Sequence, residues 1–175
     1  RSLSDTVSVF RDTLEMTLVE EGALDGPAMS ALWGLPAGTE ARAAYLGNGE
    51  QSTLIELVAW SPASGVDIRE GAKTYDYGLL DVAFRTKGLE AIHAEMTGAG
   101  RRFLSAPIVY SAGWANVTVA ETILVGPHQM PIALIERLSE PKPYIRNRFG
   151  TMVDVAQYLP DMAAAMPFYT DLLGY

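Results

Sequence analysis

The chain repeats itself, and a repeat restricts the possible folds more than any single motif does. Leu80-Asp81-Val82-Ala83 returns 73 positions later as Val153-Asp154-Val155-Ala156, and the register holds downstream, where Leu89 falls on Met162 and Ala91 on Ala164. Leu54-Ile55-Glu56-Leu57 returns 80 positions later as Leu134-Ile135-Glu136-Arg137. Each copy follows a Gly-containing turn, Gly47-Asn48-Gly49 in one and Gly126-Pro127-His128 in the other. A third match sets Phe10 to Met16 against Tyr169 to Tyr175, 159 positions on. These offsets describe a unit of about 75 to 80 residues.

Hydrophobic period turns the unit into elements. In the second unit a strand is expected over about 78–85, then an amphipathic helix over about 88–99 with Leu89, Ile92 and Met96 on its apolar stripe, closed by Gly98-Ala99-Gly100. Strands follow near 102–108, 116–125 and 131–138, so the unit reads β-α-β-β-β. Unit one shows a helix near 5–20 and strands near 41–46 and 53–60. Its first strand is absent, and it carries a Gly/Pro-rich loop through Gly34-Leu35-Pro36-Ala37-Gly38. Unit three offers a strand near 151–158 and a helix near 161–173 that Pro167 kinks or restarts. The expected fold class is α+β, with tandem βαβββ modules curling into a cup-shaped half-barrel. Residues 1–140 are expected to form one paired-module domain, 141–150 a linker marked by Pro141-Lys142-Pro143, and 151–175 the start of a second domain. The start at Arg1 and the stop inside an element read as a piece of a longer protein.

Composition removes several function classes. With no cysteine there is no disulfide framework, thiolate zinc site or cysteine nucleophile. The net charge of −8 repels phosphate backbones and anionic lipid heads, so neither nucleic acid nor membrane is an expected partner. The longest uncharged stretch, Phe103 to Ala120, is broken by Ser105, Pro107, Ser111, Gly113, Asn116 and Thr118 and is no membrane span. A small-molecule ligand and a cytoplasmic location are expected. Phosphate-loop, dinucleotide and Gly-x-Ser-x-Gly patterns are missing.

The candidates for chemistry are acids inside apolar strands. By alternation Glu56 shares a face with Leu54 and Val58, Glu136 with Leu134 and Leu138, Asp81 with Leu79 and Ala83, and Asp154 with Met152 and Ala156. A buried carboxylate costs several kcal/mol unless it is paired, protonated or metal-bound. Convergence of Glu56, Asp81 and Glu136 would create an acid/base group or an oxygen-rich metal site. The alternative is that each acid points out of a wet barrel mouth or meets Arg42, Arg85 or Arg137. His93 and His128 are expected at the surface, with His128 able to line the rim of the cup. Among the aromatics Trp33, Trp60, Tyr75, Tyr77, Tyr110 and Trp114, the one expected to face a ligand is Trp114, beside Gly113.

The tandem β-α-β-β-β unit, the Leu-Ile-Glu strand and the helix ending in Phe168-Tyr169-Thr170-Asp171-Leu172-Leu173-Gly174-Tyr175 resemble the vicinal oxygen chelate superfamily. Glyoxalase I, extradiol dioxygenases and bleomycin-binding proteins are among its members. The resemblance implies paired units around a divalent metal held by first- and last-strand residues. Carried over by position, Glu56 and Glu136 match the last-strand carboxylate, serving as metal ligands or catalytic acid/base groups. Asp81 and Asp154 stand where metal-binding members commonly have His. Imidazole suits Fe, Zn and Ni, whereas an all-oxygen set favours Mg, Mn or Ca, or no metal at all; a divalent metal (Fe, Mn, Mg, Ni or Zn) is implied without its identity.

Three functions follow from the resemblance. One is a metal-dependent lyase or ring-cleavage dioxygenase with Glu56, Asp81 and Glu136 at the metal. Another is a metal-free module binding a small aromatic or cationic compound, which the Asp-for-His departure and the acidic balance support. The last is a structural, degenerate half of a four-module enzyme. A homodimer is compatible with each.

Overall fold

The computed structural model describes residues 2–49, 54–63, 65–113, 116–139 and 147–175. The elements in chain order are α1 (Leu3–Thr13), β1 (Thr17–Ala23), α2 (Gly26–Trp33), β2 (Glu40–Gly47), β3 (Leu54–Ser61), β4 (Gly78–Thr86), α3 (Leu89–Gly98), β5 (Ile108–Ala112), β6 (Val117–Val125), β7 (Pro131–Arg137), β8 (Phe149–Tyr158) and α4 (Met162–Pro167). The α+β class and the βαβββ order of unit two are as expected.

Unit one departs from expectation. The helix begins where Ser2 and Asp5 form a reciprocal capping box, and its stripe of Leu3, Val7, Phe10 and Leu14 turns inward. It stops well short of residue 20, because Glu15 takes a left-handed φ of 55° and the chain leaves as strand β1. The following segment then forms α2, whose start is capped by the Asp25 carboxylate on the Ala28 N–H and whose end is Gly34 at φ 64°. In unit two the strand expected over 102–108 lies later, at β5, and Phe103 makes only an isolated bridge to Leu124. In unit three α4 ends at Pro167, and the chain continues through Phe168–Leu172 as a wider helical turn.

Among the described residues the strands form two sheets, with orders β1-β2-β3 and β5-β6-β7-β4-β8. Among the described residues the strands of unit one pair only with one another, while β8 of unit three joins the sheet of unit two. The boundary expected at 141–150 therefore does not separate one sheet from another, and residues 140–146 lie outside the described residues. β4 runs parallel to β7 and antiparallel to β8. In the β4–β8 pair, Val82 faces Val155, the residue 73 positions on, Asp81 faces Ala156, and Ala83 faces Asp154. Residues equivalent in the sequence repeat thus meet about a local two-fold.

A single apolar core joins the sheets. Val7, Phe10 and Leu14 of α1, Ala44 and Leu46 of β2, Phe84 of β4, Leu89 and Ile92 of α3, and Ile132 and Leu134 of β7 pack together. These are the helix-bearing faces of both sheets, so the two remaining faces look out on separate sides. That arrangement decides which acids can meet.

Candidate functional site

Alternation assigns the outward face of the five-stranded sheet. Ile132, Leu134, Val82 and Phe84 belong to the core, so Ala133 and Ile135 of β7 and Asp81, Ala83 and Arg85 of β4 face the other way. On β6, Ala120 and Leu124 are core and Val117, Val119 and Glu121 lie outward. Ala112, Val117, Val119 and Ile135 form a small apolar floor there. Tyr110 of β5, of the same parity as Ala112, sets its hydroxyl on the Glu121 carboxylate.

Four polar groups stand over this floor: Asp81, Asp154, Glu121 and Tyr110. Asp81 is only 7% exposed. Burial pushes its carboxyl above the usual carboxylate range, the nearby charges of Glu121 and Asp154 push it the same way, and an N–H donated by Ala156 only partly offsets them. The Tyr110 phenol is pushed up to about 12 by burial, by its bond to Glu121 and by the charges of Glu121, Asp154 and Asp81. Among the described residues no Lys or Arg forms an ion pair with Asp81, Glu121 or Asp154. Arg85 of β4 shares this face, yet the three carboxylates repel one another on an apolar bed without an ion pair among the described residues, an arrangement that favours a bound cation or a retained proton.

The other expected site residues lie elsewhere. Glu56 is exposed on β3 in the other sheet, where the Tyr45 hydroxyl donates to its Oε1 at 2.7 Å. Glu136 is turned to the helix side, and its two oxygens accept the N–H groups of Gly88 at 2.8 Å and Leu89 at 2.7 Å. Gly88, at φ 77°, has no side chain with which to cap α3, so a carboxylate from β7 supplies the cap and meets the positive end of the helix dipole. The two Leu-Ile-Glu copies are thus out of phase: Glu56 lies opposite the core-facing Ile55 and Leu57, whereas Glu136 lies on the same side as the core residue Leu134. The expected convergence of Glu56, Asp81 and Glu136 is not found, because they occupy three separate surfaces. Among the described residues no group of three or more His, Cys, Asp or Glu is placed to hold a metal ion, so this donor set does not fit the shared metal that the resemblance implies.

His128 is exposed in the tight turn after β6, at φ 51°. His93 is half-buried rather than at the surface, with its ring 4.6 Å from that of Phe103. Trp114 lies outside the described residues. Of the three arginines considered, Arg42 pairs with Glu21 at 3.3 Å, Arg137 donates to the Ser139 carbonyl at 3.2 Å, and Arg85 stands on the outward face of β4 in register with Ile135. Tyr110 is one of the aromatics considered for a ligand cavity, whereas Glu121 is not among the expected site residues. The alternation Val117, Val119, Glu121, Ile123 held the same signal of an acid among apolar neighbours.

No family model matches the chain, and no curated protein matches it in sequence. Solved structures do match in shape. A glyoxalase family protein from Bacillus cereus superposes with a TM-score of 0.66 at 19% identity, covering 79% of this chain and 89% of that one. Glyoxalase I from Zea mays superposes with a TM-score of 0.64 at 18% identity over 99% of this chain. The chain spans about half the length of the maize protein, 51%. No helix among the described residues is long and apolar enough to cross a membrane. The module order, the β4–β8 pairing and these superpositions together identify the fold: the chain has a glyoxalase-type fold.

Proposed function

We propose that the chain is a small-molecule-binding module, and that the outward face of β5-β6-β7-β4-β8 is the floor of its cup. In this reading units two and three are the pair that builds the cup about the β4–β8 junction. The ligand carries a positive charge or a proton donor next to an aromatic or aliphatic body. Asp81 meets the charge, with Glu121 and Asp154 adding to the potential, and the floor of Val117, Val119 and Ile135 takes the apolar part. The observation that carries this reading is the burial of Asp81 among like charges, with no ion-pair partner among the described residues. An uncompensated carboxylate in such a place is costly in the empty protein and repaid by a cationic ligand. Binding by this route needs none of the metal chemistry of a lyase or ring-cleaving dioxygenase, for which the described acids offer no converging ligand set.

Benzylamine is a suitable first probe. It is expected to raise the melting temperature of the chain in the presence of EDTA, and Asp81→Asn is expected to remove that gain. Stabilisation by manganese, nickel or magnesium that Glu136→Gln abolishes, with no response to benzylamine, would replace this reading with the metal-dependent one.

A further inference from the structure

We propose that the cleft between the loop leading into β4 and the turn of the β6–β7 hairpin is a phosphate site, taking inorganic phosphate or the phosphate group of a small ester. Three charged residues line it, Arg69 and Lys73 from the loop and Arg102 from the segment after α3, and all are cationic. Such a grouping is unexpected in a chain whose 21 acids outnumber its 13 Lys and Arg residues. None of the three forms an ion pair among the described residues. Two acids of the same loop are turned to its backbone instead: Asp67 accepts the Arg69 N–H at 2.9 Å, and Asp76 accepts the Lys73 N–H at 2.8 Å. Glu70 is exposed and is not part of the lining. A cleft lined by one sign of charge focuses its field on an ion of the other sign.

Size and donors then select among anions. The cleft's volume of about 100 Å³ is well below that of a pocket for a whole drug-sized ligand and suits a single tetrahedral group. Arg69 is partly fixed by an Nη2–H donated to the Leu79 carbonyl at 2.8 Å, which leaves its other N–H groups for an anion. The Lys73 ammonium lies 5.7 Å from the centre of the Tyr75 ring, a contact that positions it without using a hydrogen-bond acceptor. Thr74 and Gln129 add neutral donors to the lining. Gln129 is brought there by the tight turn after β6, where it stands at φ 58° while the Gly126 N–H closes the turn on the Met130 carbonyl at 2.8 Å. A carboxylate would set a single negative charge against three positive ones, whereas a phosphate ester carries about −1.5 to −2 and three strong acceptor oxygens. These residues are not those of the Asp81 face, so the site does not depend on the reading of that face.

The test titrates inorganic phosphate, phenyl phosphate and acetate into the isotope-labelled chain, at an ionic strength held constant with chloride, and follows amide NMR shifts. Phosphate is expected to give saturable shifts at Arg69 to Thr74, at Arg102 to Leu104 and at Gln129, and to bind about tenfold or more tighter than acetate. Arg102→Gln and Lys73→Gln should each weaken phosphate by about tenfold, the worth of one charge-assisted hydrogen bond. Lys87→Gln, which removes a positive charge elsewhere, should leave the affinity unchanged. Tighter binding of phenyl phosphate than of phosphate marks an ester as the occupant, and equal or weaker binding marks the free ion. Shifts that do not saturate, acetate binding as well as phosphate, or full phosphate affinity in folded Arg102→Gln would overturn the proposal.

Discussion

Glu136 shows how a side chain that looks catalytic in a strand can be structural. Its two oxygens close the start of α3, where Gly88 provides no cap. Glu136→Ala should therefore lower stability by about 1–3 kcal/mol in urea unfolding, leaving two N–H groups unpaired, while benzylamine affinity stays unchanged. Asp81 has the opposite character. Its folded pKa is raised, so the protonated form favours the fold, and that contribution is lost as pH climbs from the unfolded value of about 3.9 through the folded one. Asp81→Asn should match the native chain in acid and become the more stable of the two towards neutral pH, as read by melting temperature against pH. The sequence showed both acids as anomalies but not their difference, which depends on what lies across from each. For Glu136 the decisive clue was 48 residues away, in a helix beginning at glycine without a capping side chain.

The elements of unit two, except the strand expected over 102–108, were legible because strong periodicity and clear punctuation agreed. Unit one was not, for local reasons. Thr17 to Glu21 continues a helix-compatible pattern, and the break comes from a left-handed φ at Glu15, a residue that does not advertise it. Helix α2 is short, yet Asp25, Pro27 and Gly34 are the cap, first-turn and C-cap residues of a helix, so its signal was present in the punctuation rather than in the period. The β6–β7 hairpin is tightly built. A Cβ on Gly126 would stand 2.7 Å from Ile132 Cδ1 and 2.9 Å from the Met130 carbonyl oxygen. Gly126→Ala is accordingly expected to cost about 1–3 kcal/mol in urea unfolding, by forcing Ile132 and the turn apart.

At the scale of the molecule, the sequence revealed the repeat but not the way its parts meet. A period of two sorts residues into faces, and cannot say which faces share a core. Here the helix-bearing faces do, through Ala44, Leu46, Phe84 and Leu134. Glu56 and Asp81 consequently look out on opposite sides. Arg148 reinforces the junction, reaching Glu15 after α1 at 2.6 Å and also Glu95 of α3. From the segment expected as a linker it holds Glu15 of unit one and Glu95 of unit two in one place, just before β8 enters the sheet of unit two. The outward face that results is acidic at its centre, and the function proposed for it turns on the protonation of one buried carboxyl. The most direct measurement is the titration of the Asp81 side-chain carboxyl by carbon-13 NMR in EDTA, with and without benzylamine. A midpoint above the ordinary carboxylate range that falls when benzylamine is added is predicted. An ordinary midpoint that the amine leaves unmoved would contradict the account.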